Sequence, residues 1–273
     1  MLRIVTQNIW GKNNQWQERA NAIGRNMRDL EVDIICIQES APDHFEYLRS
    51  RSFRCFPHAY YAASDDGSLT PWPQGLAVFS RLAALETGKV DIGREVETRN
   101  PWMRIVQYMK VKSLSGHSLA VFNTHLFLST VQKQTGIRSC LEVMQRAQFA
   151  DHTHILTGDF NINLDTQPEY LAPLVQHQYA DMWTAKNGNK TGYTDPYHLD
   201  RPLAKRIDGY FTQCDRLDRV NSVSQVNKEP INDGSLLLSD HIGVMATLDL
   251  DHNASAWNHS RDESVSEGEG AAQ

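Results

Sequence analysis

The chain has 273 residues, an ordinary globular composition (40% hydrophobic, 22% charged) and a net charge of −6, so one large domain or two small ones would fit, with an ample core. Asp251, Asp262, Glu263, Glu267 and Glu269 against Arg261 put −4 on residues 251–273 and leave −2 on residues 1–250. That balance argues against a domain built mainly to grip duplex nucleic acid, which needs a basic excess. No apolar run approaches the roughly 20 residues of a membrane span. The start, Met1-Leu2-Arg3-Ile4-Val5, enters a strand pattern without a signal-peptide layout. A soluble, cytoplasmic protein without a transmembrane segment is expected; export by another route would leave no mark here. Cys36, Cys55, Cys140 and Cys214 show no C-x-x-C spacing, which disfavours disulfide and zinc frameworks and fits reduced thiols, with Cys36 buried.

Leu2–Asn8 reads as a buried strand. Trp16, Ala20, Ile23, Met27 and Leu30 then fall on one helical stripe. Val32–Gln38 is apolar on both faces, as a strand covered on both sides requires. A helix over Pro42–Arg51 follows, with proline acceptable in its first turn. Strands are expected at 56–62, 75–80, 84–92, 102–112 and 117–124, a helix at 137–150, and a short strand at His154–Thr157. A helix at 168–178 is introduced by Thr166 and Pro168. Strands at 206–212, 218–227 and 242–250 close the fold. Segments 64–75 and 185–205 read as long loops of the kind that carry specificity.

α/β units near each end of a strand-rich middle argue for an α+β fold: two mixed β-sheets packed face to face, flanked by helices, four layers in all. Residues 1–250 form one domain, and 251–273, rich in Ser, Glu, Gly and Ala, a disordered acidic tail.

Polar residues recur where the apolar segments end. They are Asn8 in Thr6-Gln7-Asn8-Ile9-Trp10-Gly11, Glu39 after Ile34-Ile35-Cys36-Ile37-Gln38, and His125 in Asn123-Thr124-His125-Leu126. Asp159 and Asn161 follow in Gly158-Asp159-Phe160-Asn161, Asp208 in Arg206-Ile207-Asp208-Gly209-Tyr210, and Asp240 and His241 in Ser239-Asp240-His241-Ile242-Gly243. Each has a plain structural explanation: Asn8 forms a turn, Glu39 meets water or an arginine, Asp208 pairs with Arg206, and His125 and His241 are hydrogen-bonded structural histidines. Together they suit a hard metal ion and a phosphate. An ionised Asp beside a water is a base, an Asn amide can hold that water, and an Asp–His bond fixes the imidazole's tautomer. His152 and His154 could suggest zinc, but without suitably spaced cysteines they read as surface residues. His44, His58, His117, His177 and His198 carry no expected role. No P-loop, G-x-S-x-G elbow or dinucleotide fingerprint is present.

The succession Asn8, Glu39, His125, Asp159/Asn161, Asp208, Asp240/His241 resembles the endonuclease/exonuclease/phosphatase superfamily of metal-dependent phosphodiesterases, over roughly residues 2–249. The resemblance implies a DNase I-like sandwich and a monomer using Mg2+, with Mn2+ as substitute. Glu39 would be the principal metal ligand, helped by Asn8 and by Asp240 through water. Asp159, positioned by Asn161, would orient or deprotonate the attacking water. His241, held by Asp208, would contact the phosphoryl group, and His125 would make a second contact; the choice of Asp159 or His241 as base stays open. The implied substrate is a phosphoester: a phospholipid headgroup, a nucleic-acid end or a small phosphoester. Asn8-Ile9-Trp10-Gly11, Gly75-Leu76-Ala77-Val78-Phe79-Ser80-Arg81 and Arg206-Ile207-Asp208 look like neutral sphingomyelinases. The Thr-His-Leu, Gly-Asp-x-Asn and Ser-Asp-His-x-Gly set is similar to tyrosyl-DNA phosphodiesterases, which act on 5′-phosphotyrosyl ends of single-stranded DNA. A general nuclease is the third branch. A catalytically silent scaffold would have lost the metal Glu or the Asp-His pair, and this chain keeps both.

Overall fold

A computed structural model describes residues 1–64, 74–96, 103–195 and 205–250. Most of the two expected specificity loops, and the whole of the expected acidic tail, lie outside those residues.

The chain opens with β1 (Leu2–Asn8), α1 (Trp16–Asp29) and β2 (Ile34–Ser40), and α1 carries the crossover that makes β1 and β2 parallel. A helix α2 (Pro42–Tyr47) and a π-helical turn at Leu48–Ser52 lead to β3 (His58–Ala63) and β4 (Gly75–Ser80). The middle of the chain builds β5 (Ala84–Arg94), β6 (Met103–Lys112) and β7 (Ser118–His125). A second crossover, α3 (Lys133–Met144), leads to β8 (Thr153–Asp159), parallel to β7. After α4 (Ala172–Gln176), β9 (Tyr179–Asp181), α5 (Met182–Asn187) and β10 (Asp208–Gln213), the chain returns to the first sheet with β11 (Val220–Val226) and β12 (Gly243–Leu248). Two mixed six-stranded sheets result, ordered β11-β12-β1-β2-β4-β3 and β5-β6-β7-β8-β10-β9.

Strand alternation sorts the side chains into layers. Ile4, Ile34, Cys36 and Val78 of the first sheet meet Met109, Val121, Ile155 and Tyr210 of the second in the central core. Val5, Ile35, Ile37 and Phe79 face outward against α1 and α2, while Ala120, Phe122 and Leu156 pack under α3. Along the inner faces the character changes toward one end. Above the apolar layer lies a buried amide ladder: Gln38 Nε2 donates to Thr6 Oγ1 (3.0 Å) and Asn123 Oδ1 (2.7 Å), and Asn123 Nδ2 donates to Gln107 Oε1 (3.0 Å) and the Ile37 carbonyl (3.1 Å). Gln107 Nε2 returns to the first sheet at the Tyr60 carbonyl (2.9 Å). Two residues further on, Asn8 of β1 and His125 of β7 take the next inner positions, with Asp159 of β8 in register beside His125.

Several elements differ from the sequence reading. The helix expected at 137–150 runs from Lys133 to Met144 and is followed by a separate 3-10 turn at Ala147–Phe149, because Arg146 is extended. The single helix expected at 168–178 is a 3-10 turn, Pro168–Leu171, followed by α4, whose Pro173 has no N–H to continue a ladder. β9 and α5 carry no periodic signal; β9 has three residues, and α5 is held by Asp181, which accepts from the Trp183 N–H at 3.0 Å. His154 is buried rather than on the surface. Tyr179 and Phe149 cover the outer face of β8, and its ring bonds the Tyr179 hydroxyl (2.6 Å) and the Phe149 carbonyl (2.8 Å). Cys36 and Cys140 are buried free thiols.

His44 is sealed under Trp16, ring centroids 4.6 Å apart, with no hydrogen-bond partner for Nδ1 among the described residues. Burial, helped by the nearby Arg19 charge, pushes its pKa from 6.5 to about 3. The unfolded chain therefore binds the proton first. The stability tied to neutral His44 is intact above pH 6.5 and declines by up to about 1.4 kcal/mol per pH unit as the pH falls toward 3. Denaturant melts at pH 7 and pH 5 are expected to show a smaller loss for His44→Phe than for the parent. Equal losses would remove His44 as a source.

Candidate functional site

The site forms where the inner faces of both sheets turn polar. In the second sheet three adjacent strands align their last inner residues: His125 of β7 is in register with Asp159 of β8, and Asp159 lies opposite Asp208 of β10. Gly158 makes this possible. Its φ is +140°, and a Cβ there would stand 2.0 Å from the Thr124 carbonyl oxygen, so only glycine lets β8 pass β7 this closely. Asn161, at φ +52°, turns the chain back so that its own N–H reaches Asp159 Oδ1 (2.9 Å) and its amide bonds the Leu126 carbonyl (3.0 Å).

In the first sheet, alternation would send Glu39 outward with Ile35 and Ile37. The pairing of β2 with β4 is interrupted between Ile37 and Ser40, and Glu39 adopts φ +61°. This bulge swings the carboxylate round to Asn8. Asn8 Nδ2 bridges Glu39 Oε1 and Asp159 Oδ2, both at 3.1 Å, while its oxygen accepts from the Trp10 N–H (3.0 Å).

Asp240 and His241 stand in the turn before β12. Ser239 pins that turn to the Asn8 carbonyl (2.7 Å), and Gln7 Nε2 holds the His241 carbonyl (3.1 Å). His241 Nδ1 then bonds Asp208 Oδ2 at 3.0 Å, while its Nε2 lies 3.8 Å from Asp159 Oδ2. His125 Nε2 approaches the same oxygen to 3.4 Å. Asn8, Glu39, His125, Asp159, Asn161, Asp208 and His241 are thus brought together directly, with Asp240 adjoining His241. Asp208 does not pair with Arg206. Thr194 Oγ1 accepts from the Ile207 and Asp208 N–H groups, and the Arg206 guanidinium forks instead to Asp165 and Asp181, 2.7 and 2.6 Å away.

The electrostatics follow from crowding carboxylates in a half-closed site. Burial raises Asp159 to about 6, with the Asp208 charge adding to it. Burial also raises Glu39 and Asp240 above the ordinary carboxylate range, with other site carboxylates pushing the same way. Burial opposes charge on His241, yet Asp208 and Asp159 together hold its pKa well above 6.5. His125 goes the other way, kept neutral by burial and by the charges of Arg104 and His241. The tightest group of metal-capable atoms among the described residues is Asp159, Asp208 and His241, within 4.8 Å of one another. That differs from the expected ligand set of Asn8, Glu39 and Asp240, which adjoins it. Because His241 Nδ1 is committed to Asp208, the trio is already internally satisfied in part, while among the described residues Glu39 and Asp240 hydrogen-bond only neutral side chains, Asn8 and Ser239.

Supporting residues went unnoticed in the sequence. Arg19 is buried and donates to the backbone carbonyls of Ile9 (2.8 Å) and Leu238 (3.0 Å), among others, binding the segment after Asn8 to the segment before Asp240. Its place four residues before Ile23, on the apolar stripe of α1, was a usable signal. Glu95, buried beside Arg104, accepts from the N–H groups of Leu128 (2.9 Å) and Ser129 (3.0 Å) and so fixes the chain that follows His125.

Two mixed sheets packed face to face under helices, with polar strand ends gathered at one edge, define a DNase I-like sandwich. The profile of the Endonuclease/Exonuclease/phosphatase family matches residues 5–241, and the chain belongs to that family, whose members are hydrolases acting on phosphoesters. Similar solved structures include truncated TDP2 of Caenorhabditis elegans, 19% identical with a TM-score of 0.72 over 91% of this chain and 97% of that one. The mannosyl-6-phosphatase Bt3783 of Bacteroides thetaiotaomicron is 17% identical with a TM-score of 0.69, covering 91% and 99%. A Bacteroides vulgatus endonuclease/exonuclease/phosphatase is 20% identical at 0.73, covering 90% and 98%. At these identities the likeness is one of fold. No curated protein sequence matches the chain. No helix among the described residues is long and apolar enough to cross a membrane.

Proposed function

We propose that the protein is a Mg2+-dependent phosphodiesterase that hydrolyses a phosphoester by in-line attack of water. The observation that carries the reading is the convergence on Asp159, which accepts a hydrogen bond from Asn8 of one sheet and stands between His125 and Asp208 of the other, with His241, from the turn before β12, bonded to Asp208. The donor set fits a hard divalent cation. Oxygen ligands predominate, and Glu39, Asp159 and Asp240 are all raised by burial and by a neighbouring carboxylate, a situation a cation reverses. The Asn8 N–H between two carboxylates marks where positive charge is wanted. Glu39, with Asp240 and Asn8, would hold the ion. When bound it would neutralise a non-bridging phosphate oxygen and the charge on the leaving oxygen.

The remaining steps belong to the chain's own residues. Asp159, held at Oδ1 by the Asn161 N–H, takes the proton of the attacking water. His241, kept cationic by Asp208, donates from Nε2 to a phosphoryl oxygen as charge grows there. Neutral His125 donates a second hydrogen bond. Hydrolysis of bis-p-nitrophenyl phosphate is the direct test. It is expected to require Mg2+ or Mn2+, to stop with EDTA and to recover when metal is restored. Undiminished hydrolysis in EDTA, or none with any divalent ion, would sink the proposal.

A further inference from the structure

A groove of about 440 Å³ opens beside the cluster, within the size range of small-ligand sites. Part of its wall is chain that carries the cluster itself: Leu128 lies just past His125, Asn161 just past Asp159, and Ile207 just before Asp208. The remaining wall brings Lys133 and Lys205 to the same space. Lys133 is half-buried, and its ammonium is pushed down by that burial and by the charge of Lys205. Among the described residues neither lysine makes an ion pair, and Asp195, also on the wall, pairs with neither.

Helix stability does not account for the arrangement. Lys133 is the first residue of α3, where a cation opposes the helix dipole, and no acidic residue offsets it in that turn. Its Nζ is steadied over the Tyr170 ring, 5.8 Å from the centroid. Two like charges therefore share a groove in an acidic protein, one of them partly removed from water. Their repulsion is screened at Lys205, which is exposed, and softened by Asp195 on the same wall, and an anion bridging the two ammonium groups turns it into attraction.

We propose that this groove is a subsite for a second phosphate group of the substrate, bound by Lys133 and Lys205 while the scissile phosphoester lies over Asp159 and His241. The inference rests on the phosphoester-hydrolase reading of the cluster and narrows it to substrates with two phosphates. A choline headgroup would bring a cation to two ammonium groups and be repelled. A nucleic-acid end or a small bisphosphate supplies the second anion.

The experiment compares thymidine 5′-(p-nitrophenyl phosphate) with the same ester carrying a 3′-phosphate, a pair that differs only in the remote anion. The full-length protein is expected to prefer the bisphosphate by about tenfold or more in kcat/KM, as two charge-assisted contacts allow. In Lys133→Gln/Lys205→Gln the ratio is expected to fall toward one. No preference in the parent protein, or a preference that survives the double substitution, overturns the subsite. A p-nitrophenylphosphoryl oligothymidylate separates the sources: further gain over the single added phosphate points to a strand, and equality to a small bisphosphate. Calorimetric binding of thymidine 3′,5′-bisphosphate against thymidine 5′-monophosphate provides a readout without turnover. Lysine-dependent tighter binding without hydrolysis of either ester would keep the subsite and reject the proposed reaction. Hydrolysis without lysine-dependent preference would do the reverse.

Discussion

Glu39→Ala is expected to lower bis-p-nitrophenyl phosphate turnover by about a thousandfold or more and to leave the melting temperature unchanged or higher. The loss follows from removing the main carboxylate proposed for the metal, whose charge stabilisation is worth several kcal/mol, each 1.36 kcal/mol being about tenfold in rate. The stability result separates a site residue from a packing residue. Glu39 holds a positive φ and a carboxyl that burial drives toward protonation, both costs to the folded state, of order 1 kcal/mol or more. Glu39→Gly relieves both and should melt higher than Glu39→Ala. Calorimetric titration with Mg2+ should lose its binding heat in each variant. Retained turnover, or retained Mg2+ affinity, would take Glu39 out of the proposed role.

The second large effect concerns His241 and Asp208. His241→Ala should reduce kcat/KM by about 10³-fold, the size expected for a charged donor aimed at a transition state. Asp208→Asn should cost at least about 10²-fold, because the bond to Nδ1 survives but the charge that keeps the imidazole protonated does not. If the two act as one unit, His241→Ala/Asp208→Ala will be no worse than His241→Ala alone. Losses that multiply would mean that Asp208 works independently of His241.

The positions of the site were readable because they sit at the ends of apolar strand patterns, and a sheet places such ends along one edge. Asn8, His125, Asp159 and Asp208 need only correct alternation to face inward. Glu39 is different: alternation alone would turn it outward, and nothing in Ile37-Gln38-Glu39-Ser40 announces the bulge. Arg206 illustrates the opposite failure. Proximity in sequence suggested a pair with Asp208, whereas Arg206 precedes the first residue of β10 and its guanidinium is drawn to two other carboxylates, Asp165 and Asp181. His154 looked like a surface histidine because the outer face of β8 is covered by Tyr179, on a strand too short to leave a pattern. The bonds by which Arg19 and Glu95 fix the chain beside the site run to backbone groups, which no side-chain pattern encodes.

The amide ladder of Thr6, Gln38, Asn123 and Gln107 has a mechanical consequence. Apolar contacts deeper between the sheets are indifferent to direction and tolerate small slides. The ladder's hydrogen bonds are not: a shift of one strand step, about 3.3 Å, would strand several buried amides at once. Shear stiffness is therefore greatest immediately beneath the site. The two sheets act there as one anvil, and any opening needed to admit a substrate has to come from the connecting chain around the rim.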